Sequence, residues 1–202
     1  MIKISITNSK LGLIPSISLP PVKTCRGDAP CTKECYALRG HYLYKNVRES
    51  LQVNLDCYYK NANEYFLEIE KFLDGGIVTY KYFRWHSAGD IPDMHYLVKM
   101  VELAKKLPQV QFLAFTKKYE LVNDLIKRIE FLPNNLHIVF SAWGNKIDIV
   151  NPYFLPIAYV KFKDKSQNVN IPKDAIPCSG DCTNCLKCWK LTKEQSVVFK
   201  KH

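Results

Sequence analysis

Seven of the chain's eight cysteines fall in two short runs, TCRGDAPCTKECY near the N-terminus and CSGDCTNCLKCW near the C-terminus. Thiolates packed this densely hold a soft metal, because several sulfurs must converge on one centre with little chain between them. In the first run Cys25, Cys31 and Cys35 supply three ligands, which leaves a coordination position open. In the second, Cys178, Cys182, Cys185 and Cys188 have three, two and two residues between them and fall within eleven residues. Such a run wraps a single compact cluster, as the dense cysteine runs of bacterial ferredoxins do. Structural zinc more often takes two separated Cys-x2-Cys pairs, each from its own hairpin. The spacing therefore favours iron-sulfur over zinc for the tail and leaves open whether both runs share one metal. Cys57 stands apart in an apparent helix and reads as a buried free thiol.

Eight cysteines would make four disulfides in a secreted protein, but the opening MIKISITNSK shows no apolar signal region and no stretch approaches a membrane span. The expected setting is the cytoplasm, with no membrane partner, where clustered cysteines serve as metal ligands. With 47% hydrophobic and 12% aromatic residues over 202 positions, the chain can bury a sizeable core. Lys and Arg total 29 against 19 Asp and Glu, a formal charge of +10, which favours anionic partners, nucleic acid included. The lysines are scattered, however, among them Lys117, Lys118, Lys161, Lys163, Lys165, Lys200 and Lys201. A scattered basic surface is more often solvated than a nucleic-acid footprint.

Residues 2–7 and 14–19 alternate like half-buried strands, and Pro20-Pro21 ends the second, so the first cysteine run follows a strand. Residues 42–61 and 64–73 show helical spacing, through Val47, Leu51 and Leu55 and then Phe66, Ile69, Phe72 and Leu73. Gly75-Gly76 stops the second of these. Residues 77–85, IVTYKYFRW, read as a strand running into the polar turn His86-Ser87-Ala88-Gly89-Asp90. The pattern repeats: helix 94–107, strand 110–115 ending in Thr116-Lys117, helix 119–129, strand 136–140 ending in Ser141-Ala142-Trp143, and a last strand over 157–162.

Strands alternating with helices of this length mark a parallel sheet with covering helices, whose ligands bind at the carboxyl ends of the strands. About five strands are visible, fewer than the eight of a closed barrel, which predicts an α/β fold with a partial, open parallel (β/α) barrel. After residue 162 the polar, proline-punctuated KDKSQNVNIPKDAIP reads as a linker. The expected organisation is thus a barrel over residues 1–165 carrying the three-cysteine loop, then a linker and four-cysteine metal-binding tail over 166–202. His86 and Asp90, at a strand end, are candidate site residues, although Gly-Asp is also an ordinary helix-entry sequence. His41, His95 and His137 read as surface or core residues.

Four pieces together resemble the phage "gene product 88" proteins: Cys25, Cys31 and Cys35-Tyr36-Ala37; Phe83-Arg84-Trp85-His86-Ser87-Ala88-Gly89-Asp90; Phe115-Thr116-Lys117; and the tail cysteines with Trp189. The first three also resemble a neighbouring phage family that is similar to radical-SAM enzymes. The resemblance implies a partial barrel of radical-SAM type. Its first loop would hold a 4Fe-4S cluster through three thiolates, leaving one iron for S-adenosylmethionine, and the tail would hold an auxiliary cluster. Ser87, Asp90, Thr116 and Lys117, with His86 behind them, would contact cofactor or substrate. The chain departs from the radical-SAM loop in its wider cysteine spacing, in Glu34 before Cys35, and in lacking Gly-Gly-Glu at the second strand.

The expected function is that of an iron-sulfur protein with one or two 4Fe-4S clusters, carrying out radical or redox chemistry on an unknown substrate. The alternatives are a zinc-stabilised nucleic-acid-binding protein, with Tyr80, Tyr82, Phe83 and Trp85 stacking on bases, and a phage iron-sulfur protein without catalysis.

Overall fold

The computed structural model describes residues 1–76 and 79–201. The beginning of the strand expected over 77–85, and His202, lie outside the described residues.

Within them, strands β1 (Ile4–Ser5) and β2 (Ser16–Ile17) precede the first cysteine loop, which winds through short 3-10 turns into helices α1 (Lys45–Lys60) and α2 (Ala62–Asp74). The chain continues through β3 (Tyr82–Trp85), α3 (Met94–Lys106), β4 (Gln111–Thr116), α4 (Tyr119–Ile129), β5 (Leu136–Ser141) and β6 (Ile157–Lys161). It ends in β7 (Ile176–Pro177), the one-turn helix α5 (Cys182–Cys185) and β8 (Ser196–Lys200). Helices α2 and α3 start where the sequence offers caps. Asn61 accepts from the Glu64 amide at 3.1 Å and Asp93 from the Tyr96 amide at 2.9 Å, each satisfying an amide that lacks an intrahelical partner.

The result is a mixed α/β fold around one eight-stranded sheet in the order β1-β2-β3-β4-β5-β6-β8-β7. Every pairing is parallel except that of β1 with β2. The segment expected to be linker and tail supplies two of these strands. β8 runs beside β6 over five residue pairs, from Ile157↔Ser196 to Lys161↔Lys200, and β7 adds to its outer edge. Sequence alternation had hidden them: SVVFK is too short and too uniformly apolar to show a period.

The period of two along each central strand divides the side chains between two covers. Phe83, Trp85, Phe112, Ala114, Leu136, Ile138 and Phe140 pack with the helices in the main core. Their neighbours Tyr82, Leu113, Phe115, Val139, Ala158, Val197 and Phe199 point the other way, into a second core closed by Trp189, Leu191 and the tail cysteines Cys178, Cys182 and Cys188. The cysteine tail is therefore the lid of the sheet's inner face. Trp189, 2% exposed, sits edge-on to Tyr82 with ring centroids 5.7 Å apart and donates its indole N–H to the Phe83 carbonyl at 3.4 Å.

Phe83 and Trp85 are wholly buried, which leaves no ring face of either for a base. Cys57 is half-buried on α1 against the main core. No helix among the described residues is long and apolar enough to cross a membrane.

Candidate metal centre

Parallel register places the carboxyl ends of β2, β3, β4 and β5 along one edge of the sheet, and the chain leaves that edge through the cysteine loop, His86 to Asp90, Thr116-Lys117 and Ser141. A cavity of about 280 Å³ opens there, lined by Cys25, Cys31 and Cys35 and by Cys178, Cys182, Cys185 and Cys188. Two runs more than 140 residues apart thus share one cavity. All seven thiols are free and half-buried.

The first loop is anchored by the polar groups of the β3 turn. Thr24, 2% exposed, donates its hydroxyl to the Pro20 carbonyl at 2.9 Å and accepts from the Asp90 amide at 3.1 Å. Leu19 N–H donates to the Ala88 carbonyl at 3.0 Å, and the Tyr36 hydroxyl donates to the Ser87 carbonyl. Gly89 makes this approach feasible. Its φ is +78°, and a Cβ there would stand 2.6 Å from the Leu19 carbonyl and 2.7 Å from the Thr24 hydroxyl.

The second run is held by the sheet and by β1's neighbourhood. Cys178 N–H donates to the Val198 carbonyl and Cys182 N–H to the Lys10 carbonyl, both at 2.9 Å. Asp181 caps α5 by accepting from the Thr183 amide at 2.9 Å, and Cys178 Sγ accepts from the Gly180 amide at 3.4 Å. Glu34, beside Cys35, pairs with Lys201 just beyond β8, which ties the two runs' supports together.

Burial pushes the Cys25 thiol up to about 11, with Asp90 and the neighbouring thiols adding to the shift. Burial likewise pushes Cys188 up to about 12, opposed by the nearby Arg84. Thiols in such surroundings ionise when a cation takes the proton's place. Among the described residues, no three or more Cys, His, Asp or Glu side chains converge at the spacing a single ion requires. The sulfurs of a tetrahedral zinc site sit within about 4 Å of one another. Seven thiols around one open cavity are the donor type that soft-metal centres, iron-sulfur clusters included, take.

Of the other residues expected at the site, His86, Asp90, Thr116 and Lys117 line the cavity, whereas Ser87 does not and serves through its carbonyl. Asp90, 6% exposed, is engaged by the protein: it accepts from the Ile91 amide at 2.8 Å and from the Lys117 amide at 3.1 Å. Burial raises its carboxyl above the usual range, against those hydrogen bonds. Lys117 Nζ donates to Ser141 Oγ at 3.1 Å and lies 5.6 Å from the Trp143 ring centroid.

His86 adopts a φ of +53°, breaking the alternation of β3 and turning its ring toward the helices. There Nε2 lies 3.1 Å from the Tyr96 hydroxyl, itself 2.9 Å from that of Tyr65. The other ring nitrogen, Nδ1, is buried without a protein partner. Burial, reinforced by Arg84 and Lys118, pulls the imidazole down to about 3 and keeps it neutral.

Sequence reasoning gave Arg84 no role of its own, although it lines the cavity near the tail thiols of Cys182 and Cys188. The signal was present: one arginine inside the aromatic run YKYFRW, at a position alternating with Phe83 and Trp85.

The family model described as Gene product 88 matches residues 3–191. No curated protein and no solved structure matches the chain.

Proposed function

The chain belongs to the Gene product 88 family, and from that premise we propose that it is an iron-sulfur protein whose clusters flank a shared substrate cavity, on a sheet read as a partial (β/α) barrel. The observation that carries this reading is the convergence of both cysteine runs on the cavity at the carboxyl edge of the sheet. Cys25, Cys31 and Cys35 would hold one 4Fe-4S cluster, with a position left open for S-adenosylmethionine or substrate, and Cys178, Cys182, Cys185 and Cys188 a second. A bound cluster of this kind supplies or accepts single electrons.

The chain's own residues do the rest. The Thr24, Gly89 and Asp90 contacts hold the first loop against the strand ends, and the Gly180 amide donates to Cys178 Sγ, a bond that favours the thiolate. Trp189, Phe115 and Phe199 wall the cavity with apolar surface that limits water, which suits a reactive one-electron species. Lys117, with Nζ on Ser141 Oγ, brings a cation to the cavity wall.

The test is anaerobic reconstitution with iron and sulfide, followed by metal and acid-labile sulfide analysis and electron paramagnetic resonance of the reduced protein with and without S-adenosylmethionine. The reading expects bound iron and sulfide, a reduced-cluster signal, and a change in that signal on adding S-adenosylmethionine if the first cluster has an open iron. Stoichiometric zinc with no sulfide overturns it.

A further inference from the structure

Arg84 has no carboxylate partner among the described residues, and its nearest titratable neighbours are Tyr36 and the thiols of Cys188 and Cys182. It stands on the inner face of β3, with the guanidinium 4.2 Å over the Phe115 ring and Nε donating to the Trp85 carbonyl at 3.0 Å. Among the described residues no carboxylate comes within ion-pair distance of it. The two Nη groups have no protein acceptor there either, and the residue lines the cavity.

The acids on the cavity wall are committed elsewhere. Glu34 pairs with Lys201, Asp90 accepts backbone amides from Ile91 and Lys117, and Asp181 caps α5. Basic groups outnumber them, with Lys10, Lys117, Lys187 and Lys200 on the same wall. Around Arg84 the surface is apolar, from Leu113, Phe115, Trp189, Val197 and Phe199. A guanidinium in such surroundings is costly without an anion, and its planar fork matches a carboxylate or phosphate bidentately.

We propose that the cavity binds a small organic anion, a carboxylate or phosphate ester on an apolar body, with Arg84 as its principal ligand and Lys117 as a second cation. The anion's place as substrate rests on the redox reading of the cavity; its binding does not. The apolar body lies against Phe115 and Phe199, and the charged end takes the Nη groups of Arg84.

Binding of benzoate, phenyl phosphate and uncharged benzamide to the reconstituted protein, followed by calorimetry, tests this. Benzoate or phenyl phosphate is expected to bind and benzamide to bind at least tenfold more weakly; which anion is preferred separates carboxylate from phosphate. Arg84→Gln should weaken the anion by about 10- to 100-fold, the worth of a charge-assisted hydrogen bond pair, and Arg84→Lys by less. Unchanged binding in a folded, equally loaded Arg84→Gln protein overturns the proposal, as it would if metal-bound thiolates were the guanidinium's true partner. Should Arg84→Gln not fold, the wild-type comparison decides alone, and equal binding of benzoate and benzamide, or none of either anion, overturns it. Iron measured on the same samples separates the two ideas. Anion binding without iron removes the cluster reading and supports the anion site, whereas iron without anion binding does the reverse.

Discussion

Gly89 is where the first cysteine loop meets the sheet, and its missing Cβ is what lets the two approach. Alanine there must adopt a left-handed backbone and push against the Leu19 carbonyl. Gly89→Ala is expected to cost about 2–4 kcal/mol, read by urea unfolding, and to lower iron uptake by the first loop. His86 offers a pH signature. Its folded value near 3 lies below the ordinary 6.5, so the unfolded chain binds the proton more readily. The contribution is full above about pH 6.5 and is lost as the pH falls toward 3, at up to about 1.4 kcal/mol per pH unit. Unfolding free energies measured between about pH 7 and about pH 5 should fall more steeply in the wild type than in His86→Gln. Equal slopes would remove His86 as the source.

The tail's hold on the inner face is concentrated in Trp189 and β8. Trp189 fills the space against Tyr82 and reaches the Phe83 carbonyl, so Trp189→Ala leaves a cavity and removes that hydrogen bond. A loss of about 3–5 kcal/mol is expected, together with faster proteolysis after residue 165. β3 shows the same division of labour within four residues. Phe83 and Trp85 belong to the helix-side core, while Tyr82 and Arg84 serve the inner face. The alternation itself was visible in YKYFRW, but which face would be covered by helices and which by cysteines was not, because both faces are rich in aromatics.

Deleting residues 166–202 tests how the whole molecule is held together. That segment contributes β8, β7 and the lid of the second core. Its removal would expose Leu113, Val139 and Ala158 and leave β6 as an edge. The shortened chain is expected to be insoluble or to lose cooperative unfolding, as followed by circular dichroism; a soluble chain with a native-like melt would show that residues 1–165 stand alone.

Much of the sheet was legible in advance. The expected strands over 110–115, 136–140 and 157–162 and the helices over 94–107 and 119–129 match β4, β5, β6, α3 and α4 within two residues at each end. Each is long enough for its period to show. β7 and β8 were not legible, since two and five residues carry no period and their pairing with β6 depends on chain some forty residues away. The site divides the same way. Cysteine spacing by itself singled out the seven thiols that line the cavity, because each run is local in sequence. That the two runs line one cavity, that Arg84 lines it without a carboxylate partner, and that Ser87 lies outside were decided by the sheet. Only parallel register and the return of β8 bring those strand ends and the tail to the same edge.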